Sequence, residues 1–282
     1  MIKGIGWLVT QRPLVGLEAR RDNLSVSRAR EKGCPRVDKN YQDLARMYDE
    51  LVGHAAFDCW KDNLERLLNK YGIGFEVAAD IACGTGLAAQ YLAERCSRVY
   101  AADLSERMLQ VARTRATRGN MVFLRQSFTE LELPERVDLL SCNFDSLNYL
   151  TEESDLREAL RRFGRSLKEG GYAIFDMNTA RELEAGRGEA VMVHRVSAGI
   201  SVWESSWDPG GRVNTLKMTN FVKREDGFYK MSEEIHRERA YDRPVIEDAL
   251  RDAGFTHIEH YDARGLSQVG PDTRRLQFLA RR

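Results

Sequence analysis

Short apolar segments alternate with segments of helical periodicity over the middle of the chain. Apolar runs of four to six residues predict strands at 77–81, 98–102, 121–124, 137–142 and 172–176. Between them, apolar residues recur every three or four positions and predict helices at 86–95, 105–117 and 152–168. Because parallel strands are joined through crossover helices, this alternation predicts a mostly parallel sheet with helices on both faces.

Helical periodicity also precedes the first strand, and a helix and two strands follow near the end of the chain. Two aromatic-rich repeats, at 41–51 and 57–71, predict helices ahead of the sheet. A helix is predicted at 244–253, and the sheet is completed by strands at 256–262 and 274–281. The last hairpin in such folds supplies one antiparallel strand. The prediction is an α/β fold built on a Rossmann-like, seven-stranded, mostly parallel sheet.

The period changes from helical to two between residues 181 and 241. Alternating runs at 191–196, 201–207, 213–223 and 228–241 are separated by turns rich in glycine and aspartate, which predicts antiparallel hairpins. We therefore expect three parts. Residues 1–40 form an N-terminal extension, residues 41–180 and 242–282 form the main domain, and residues 181–241 form an inserted antiparallel platform.

The strand at 77–81 runs into a glycine-rich turn, and the next strand ends on Asp103. Gly84 and Gly86 lack a Cβ, so the backbone of the turn can pass close to a bulky ligand. A carboxylate at Asp103 can accept both hydroxyls of a ribose. Because both features follow neighbouring parallel strands, they predict a nucleoside pocket at the carboxyl ends of those strands.

Residues 84–89 also fit the glycine fingerprint of dinucleotide-binding folds. The motif is therefore consistent with either of two nucleoside ligands, NAD or S-adenosylmethionine. Asp80 lies four residues before Gly84, where a carboxylate would oppose a pyrophosphate but suits a sulfonium ligand with an amino group. Leu104, and Met108 on the following helix, suit the adenosine side of that ligand. These details favour S-adenosylmethionine over NAD.

Asp80 to Gly86 resembles motif I of the class I S-adenosylmethionine-dependent methyltransferases, and residues 99–108 resemble their second motif. The resemblance implies S-adenosylmethionine as cofactor, with Ala82 among the turn residues that contact it. The order of motifs and the inserted platform are similar to the small-molecule branch, which includes glycine and deoxysugar N-methyltransferases.

One position departs from the family pattern. The third strand of these enzymes usually ends in Gly-Asp, whose acid meets the adenine amino group, whereas this chain has Ser127 there. The resemblance therefore leaves adenine recognition to Ser127, Phe128 or backbone groups.

The helices ahead of the sheet resemble those that lie over the cofactor in small-molecule methyltransferases. Tyr41, Ala45, Tyr48 and Asp49 follow the family pattern that lines the methionine end of the ligand. The resemblance makes Tyr41 and Tyr48 cofactor contacts, Tyr48 also a candidate catalytic residue, and Trp60 a further cofactor contact. The alternative is that these aromatic side chains only form the buried stripe of two helices.

The segment after the strand at 137–142 lies where this fold places groups that face the substrate. It lacks both prolines of the family motif that clamps a flipped adenine or a glutamine amide, which argues against methylation of a nucleobase amine. Cys142 is interpreted as a buried thiol of the strand. Asn143 and Phe144 are candidate cofactor contacts, and Asp145 is a candidate catalytic residue.

The last strand of the platform carries the richest cluster of ionisable side chains. Alternation puts Glu234, His236 and Glu238 on one face. Histidine changes its charge between about pH 5 and 8, so His236 is a candidate proton acceptor. A solvated, charged strand is the alternative, and it is the favoured one. Trp203 and Trp207 share a face and either wall the substrate or pack in the platform.

Composition narrows the classes of partner. The formal net charge is zero, which gives no global attraction to nucleic acid or to an anionic membrane, and no apolar run reaches the ~20 residues of a membrane-spanning helix. The five cysteines show neither disulfide spacing nor metal-site spacing, which favours a reducing cytoplasm and no metal. Residues 1–40 hold nine Lys and Arg against four Asp and Glu, so a basic arm for an acidic partner stays open.

The sequence thus predicts a cytoplasmic enzyme, a monomer or a homodimer, that moves a methyl group from S-adenosylmethionine to a small molecule by in-line displacement. An amine acceptor is favoured over a hydroxyl or carboxylate. Two alternatives remain: an RNA or protein methyltransferase of the same fold, and a non-catalytic S-adenosylmethionine-binding module.

Overall fold

The computed structural model describes residues 45, 47–52, 54–185 and 191–282. The predicted extension, residues 1–40, and the candidate contact Tyr41 lie outside the described residues.

Eleven strands and seven helices are described in these ranges. The strands are β1 (Val77–Ile81), β2 (Arg98–Asp103), β3 (Met121–Arg125), β4 (Val137–Cys142), β5 (Leu167–Asn178), β6 (Val191–Val196), β7 (Gly199–Asp208), β8 (Val213–Lys223), β9 (Tyr229–Arg239), β10 (His257–Asp262) and β11 (Arg275–Arg281). The helices are α1 (Tyr48–Val52), α2 (His54–Tyr71), α3 (Leu87–Ala93), α4 (Glu106–Arg115), α5 (Glu153–Ser166), α6 (Ala180–Ala185) and α7 (Arg243–Asp252).

Seven strands form the main sheet, in the order β10-β11-β5-β4-β1-β2-β3. All neighbours from β5 to β3 pair in parallel, while β11 runs antiparallel to both β5 and β10. The predicted fold is therefore confirmed, including the antiparallel strand from the final hairpin. The chain order reverses between β4 and β1, and in open sheets of this kind ligands bind outside the carboxyl ends of strands at such a point.

Helices cover both faces of the main sheet, as predicted. On one face, α5 and α7 pack side chains such as Phe163 and Leu250 against β4 and β5. On the other face, α2 and α3 pack Leu67 and Leu92 against β1 and β2. This packing fixes the helices relative to the sheet. The loops that join helices and strands at the carboxyl ends of the strands, where the candidate site lies, are therefore held in place as well.

One boundary differs from the prediction. The helix predicted at 152–168 ends at Ser166, and the strand predicted to begin at 172 begins at Leu167. Leu167 pairs with Val137, and the Gly170 N–H donates to the Arg282 carbonyl, so backbone partners from neighbouring strands draw this segment into β5.

The platform is a separate antiparallel sheet in the order β6-β7-β8-β9, which confirms the predicted hairpins. Met47 packs against Leu216 and Met218 of β8, so one face of the platform is covered by the segment that begins α1. None of the described helices combines the length and the apolar character that crossing a membrane requires.

Candidate active site

The glycine-rich turn between β1 and α3 uses three left-handed residues, Ala82 at φ +56°, Gly84 at +54° and Gly86 at +83°. A Cβ on Gly86 would lie 2.9 Å from the Cβ of Ala112, so this glycine lets the turn pack directly on α4. A Cβ on Gly84 would meet only the ring of Tyr48, at 3.9 Å. Gly84 therefore needs its backbone conformation rather than space for packing.

The carboxylate of Asp103 holds this turn in place. Its Oδ2 accepts the backbone N–H of Gly84 and its Oδ1 accepts that of Ser105, both at 2.8 Å. Burial raises the pKa of this carboxyl group, and the backbone hydrogen bonds oppose the rise. Each carboxylate oxygen has a further lone pair, so Asp103 can still accept two hydroxyl groups of a ligand. The structure thus brings together the two features that the sequence paired.

Asp80 lies beneath the same turn and is 2% exposed. Its Oδ2 has no hydrogen-bond partner within the described part of the chain. Burial, and next the charge of Asp103, raise the pKa of Asp80 to about 8. An unpartnered buried carboxyl oxygen beside a second carboxylate is a site that a cation stabilises.

The short helix α1 lies over the turn and is tied to it by polar contacts. The Thr85 hydroxyl donates to Asp49 Oδ1 at 2.6 Å, and Arg115 of α4 pairs with the other oxygen of Asp49. Arg115 also donates to the Thr85 hydroxyl at 3.2 Å. Burial raises the pKa of Tyr48, and the charges of Asp145 and Asp103 raise it further.

The segment after β4 is held in a strained conformation. Phe144 and Asp145 both adopt positive φ, at +57° and +54°. Asn143 is 3% exposed and donates from Nδ2 to Ser141 Oγ at 2.5 Å. Consecutive left-handed residues other than glycine persist only where surrounding contacts enforce them, as at ligand sites. Cys142, just before them, is fully buried, which agrees with a thiol that packs in the strand.

Arg275 of β11 enforces that conformation. Its guanidinium donates to Asp145 Oδ1 at 2.7 Å and to Asp176 Oδ2 at 3.2 Å. The other oxygen of Asp176 accepts the Asp145 N–H at 2.7 Å. Burial raises the pKa of Asp176, and the charge of Arg275 lowers it. The carboxyl ends of β4 and β5 are thus joined to the first residue of β11.

The face of β9 that carries His236 is buried, so the expectation of a solvated strand was wrong. Glu234, His236 and Glu238 are 5%, 0% and 2% exposed. The side chain of His236 lies 3.0 Å from the Tyr149 hydroxyl through Nδ1 and 3.3 Å from Glu234 Oε2 through Nε2. The alternation itself was predicted correctly. The covered face is the polar one because it meets the 3-10 turn Ser146–Tyr149 rather than water.

The other residues predicted at the adenosine side of the cofactor make contacts within the protein. The hydroxyl of Ser127 donates to Glu130 Oε2 at 3.0 Å, and the ring of Phe128 lies 6.5 Å from that of Phe163 in the core. Met108 is 2% exposed, and the Leu104 carbonyl accepts from Arg125 at 3.2 Å.

The aromatic residues predicted near the ligand make packing contacts. Trp60 is 4% exposed, with its ring centroid 5.4 Å from that of Phe57 and 5.7 Å from that of Tyr91. Trp203 donates from Nε1 to Ser201 and stacks on His194, with centroids 4.2 Å apart. Trp203 and Trp207 lie on the platform face that also carries Glu234, as the strand register requires.

Sequence reasoning missed three polar residues of this region. Asp176 could have been found, because it is another acid near the carboxyl end of a buried parallel strand, as Asp80 and Asp103 are. Arg275 and Tyr149 gave no local signal, since their partners lie far away in the chain.

Known proteins similar to this chain carry methyltransferase names. A family model described as a methyltransferase domain matches residues 78–171. A protein of Geobacillus sp. (strain WCH70) with a provisional methyltransferase name is 33% identical over 224 residues, which are 78% of this chain and 90% of that protein. The dTDP-3-amino-3,6-dideoxy-alpha-D-glucopyranose N,N-dimethyltransferase of Streptomyces fradiae is 27% identical over 224 residues, 76% of this chain and 84% of that enzyme.

Among solved structures, an S-adenosylmethionine-dependent methyltransferase from Clostridium acetobutylicum ATCC 824 superposes with a TM-score of 0.74 at 27% identity. The superposition covers 86% of this chain and 98% of that one.

Proposed function

The chain belongs to the class I S-adenosylmethionine-dependent methyltransferases, and on this premise we propose that it methylates the amine nitrogen of a small molecule. The enzyme class and the cofactor follow from the family. The acceptor is the proposal, and it rests on the charges that surround the strained segment after β4.

The residues at the glycine-rich turn fit the cofactor. Asp103 would accept the two ribose hydroxyls through its remaining lone pairs, and the unpartnered oxygen of Asp80 would meet the cationic methionine end. Tyr48, Ala82, Gly84 and Gly86 would enclose it. S-adenosylmethionine, when bound, supplies a methyl group attached to a positively charged sulfur.

The observation that supports the amine acceptor is a group of four buried acids. Asp145, Asp176, Glu234 and Glu238 are all 9% exposed or less. Arg275 pairs with the first two, and His236 contacts Glu234. A buried group of acids attracts a cation and repels an anion more strongly than the same acids would in water. A protonated amine is therefore favoured over a carboxylate acceptor.

An amine must lose a proton before its nitrogen lone pair can attack a methyl group. The Tyr149 hydroxyl would take that proton as it passes its own to Nδ1 of His236, and Glu234 would stabilise the resulting imidazolium at Nε2. Tyr48, whose ring lies beside Gly84, and Asp145, on the strained segment after β4, would orient the amine. Holding nucleophile and methyl group in line can contribute roughly 7–11 kcal/mol to a bimolecular step.

Methyl-labelled S-adenosylmethionine tests the proposal even while the acceptor is unidentified. The purified protein is incubated with a cell extract divided by ultrafiltration into small molecules and macromolecules. We expect label in the small-molecule fraction, in products that resist alkali and bind a cation exchanger. Methyl esters would release methanol in alkali, and methyl ethers without an amine would pass through the exchanger.

The matched variant is His236→Gln, which should lower label transfer by about 10²–10⁴-fold while leaving the affinity for S-adenosylhomocysteine unchanged. Label in RNA or protein alone would contradict the small-molecule acceptor. Undiminished label transfer by His236→Gln would contradict the role of His236 in proton removal. It would not contradict a small-molecule amine as the methyl acceptor.

A further inference from the structure

A row of polar side chains crosses the platform sheet, one from each strand. The strand register defines this row, here called the polar row, as His194, Ser201, Asn220 and Ser232. Ser232 lies two residues before Glu234 and four before His236 on β9, so the polar row shares their face of the sheet. It is therefore on the face that carries the acid and the imidazole of the proposed function.

The centre of the polar row is covered, although its side chains are polar. Ser201 and Asn220 are both fully buried. The covered face of an antiparallel sheet normally carries apolar side chains. On β8 the neighbours of Asn220 on this face follow that rule, since they are the buried residues Val222 and Met218. A hydroxyl and an amide thus stand where burial by itself would favour apolar residues.

A chain of hydrogen bonds fixes the orientation of the Asn220 amide. The indole N–H of Trp203 can only donate, and it donates to the Ser201 hydroxyl at 2.7 Å. The Ser201 hydroxyl donates its own proton to Asn220 Oδ1 at 2.6 Å. The oxygen of the amide is therefore occupied, and its NH2 group is the part that is left for a further partner.

Three atoms of the polar row have no hydrogen-bond partner among the residues that the structure describes. They are Asn220 Nδ2, Ser232 Oγ and His194 Nε2, and all three are shielded from bulk water. A buried donor or acceptor without a partner is destabilising, because it has lost its contacts with water and gained nothing in return. Atoms of this kind in one row mark a place where a ligand can supply the hydrogen bonds.

The chemistry of these atoms selects an uncharged oxygen as the ligand group. The NH2 group of Asn220 can only donate, so its partner must be an acceptor, and the Ser232 hydroxyl on the next strand can donate to that atom or accept from it. Burial lowers the pKa of His194, so its ring is neutral and the row supplies no positive charge. A carboxylate would be buried without a cation and on the same face as Glu234, which disfavours it. A hydroxyl or a carbonyl oxygen fits.

The spacing along β9 determines how far this oxygen lies from the amine. Ser232 and His236 are four residues apart, which is about 13 Å between their Cα atoms at ~3.3 Å per residue. The two side chains take up part of that distance. The oxygen is therefore separated from the amine nitrogen by several bonds, and a chain of six carbon atoms between them is a suitable probe.

We propose that the polar row is a specificity subsite for the methyl acceptor, at which Asn220 and Ser232 bind an uncharged oxygen, a hydroxyl or a carbonyl. The acceptor is then an amine that carries such an oxygen several bonds from its nitrogen. This inference rests on the proposed function, which places the amine beside Tyr149 and His236. It adds a second point of attachment, and two points determine the direction in which the nitrogen faces the methyl group.

Three amines test the subsite on the full chain bound to S-adenosylhomocysteine: 6-aminohexan-1-ol, 6-aminohexanamide and hexylamine. The first carries a hydroxyl, the second a carbonyl, and the third neither. Their dissociation constants are measured by calorimetric titration. We expect at least one of the two oxygen-bearing amines to bind about tenfold more tightly than hexylamine, the gain of one or two net hydrogen bonds. The amine that shows the gain distinguishes a hydroxyl from a carbonyl.

Ser232→Ala and Asn220→Leu each remove one proposed contact and should abolish this preference, with the affinity for hexylamine unchanged. Ser205→Ala is the matched control, because Ser205 lies on the same face but its hydroxyl donates to Asn214 Oδ1 at 2.8 Å. It should keep the preference. In thermal unfolding, Ser232→Ala should be as stable as the unmodified chain, since that hydroxyl has no partner in the described ranges, whereas Ser205→Ala should be less stable.

Two results would overturn the proposal. One is equal affinity for the three amines, which includes the case that none of them binds measurably. The other is a preference that persists in both Ser232→Ala and Asn220→Leu, because the oxygen would then bind elsewhere. The titrations involve no methyl transfer, so they are independent of the label-transfer assay. Label confined to RNA or protein would contradict the proposed function, whereas equal affinities would contradict only the subsite.

Discussion

At the scale of single residues, the carboxylate of Asp103 shapes the glycine-rich turn, and we propose that it also binds the cofactor ribose. Its oxygens accept the N–H groups of Gly84 and Ser105, so it shapes the turn before any ligand arrives. Each oxygen keeps a further lone pair, which in the proposed function accepts a ribose hydroxyl. Charge-assisted hydrogen bonds contribute about 1.5–3 kcal/mol each, so this one side chain should dominate cofactor affinity.

We expect Asp103→Ala to weaken binding of S-adenosylhomocysteine by about 100-fold, measured by isothermal titration calorimetry. Asp138→Ala is the matched control. Asp138 also accepts two backbone N–H groups, those of Glu76 and Val77 at 3.0 and 2.9 Å, but at the opposite end of β1. Equal losses in both variants would mean that Asp103 acts through the fold alone.

Asp145 shows how a neighbour determines the conformation of a residue. An aspartate at φ +54° is uncommon, and here the guanidinium of Arg275 and the carboxylate of Asp176 hold both its side chain and its backbone N–H. The sequence made Asp145 a candidate from its place after β4. Its partner Arg275 lies 130 residues away, and no local pattern links the two.

At the scale of elements, α1 is a helix of five residues that cannot be stable by itself. Its position over the glycine-rich turn depends on apolar packing of Met47 and on the contacts among Asp49, Thr85 and Arg115. We propose that α1 covers the bound cofactor, so that these contacts control the rate of exchange.

We expect Arg115→Met to speed release of S-adenosylhomocysteine by about fivefold, since a partly buried ion pair contributes on the order of 1 kcal/mol. Stopped-flow displacement measures the rate. Arg113→Met is the control, because Arg113 forms a comparable ion pair with Glu106 on the exposed side of α4. A release rate unchanged by Arg115→Met would show that the packing of Met47 is sufficient to hold α1 over the turn.

At the scale of the whole molecule, Asp80 links stability to pH. Its pKa is raised from 3.8 to about 8, so between these values the folded protein keeps a proton that the unfolded chain has lost. The free energy of unfolding therefore falls as pH rises through this window. Asp103, whose pKa is also raised, contributes in the same direction.

Urea unfolding at about pH 5.5, 7 and 8.5 should show this loss for the unmodified chain, on the order of a few kcal/mol. Asp80→Asn carries no proton in this range and should reduce the dependence on pH. Asp58→Asn, which changes an exposed acid of α2, should leave it intact. The same slope in Asp80→Asn and the unmodified chain would contradict the link.

The order of strands and helices, the glycine-rich turn and the acid that ends β2 could be predicted from the sequence. Each rests on local information: apolar periodicity, residues without a Cβ, and acids at strand ends. The end of α5 was predicted less well. Its last residues were drawn into β5 by backbone hydrogen bonds to distant strands, which no periodicity records.

The sequence by itself determined that β9 has two different faces, because side chains alternate along any strand. It could not determine which face is covered, since a period of two is the same from either side. Only the tertiary structure decided this, by packing the Ser146–Tyr149 turn and the segment before α1 against the polar face. It likewise decided that Arg275 meets Asp145 and Asp176, because contacts between distant segments depend on how the sheet is assembled.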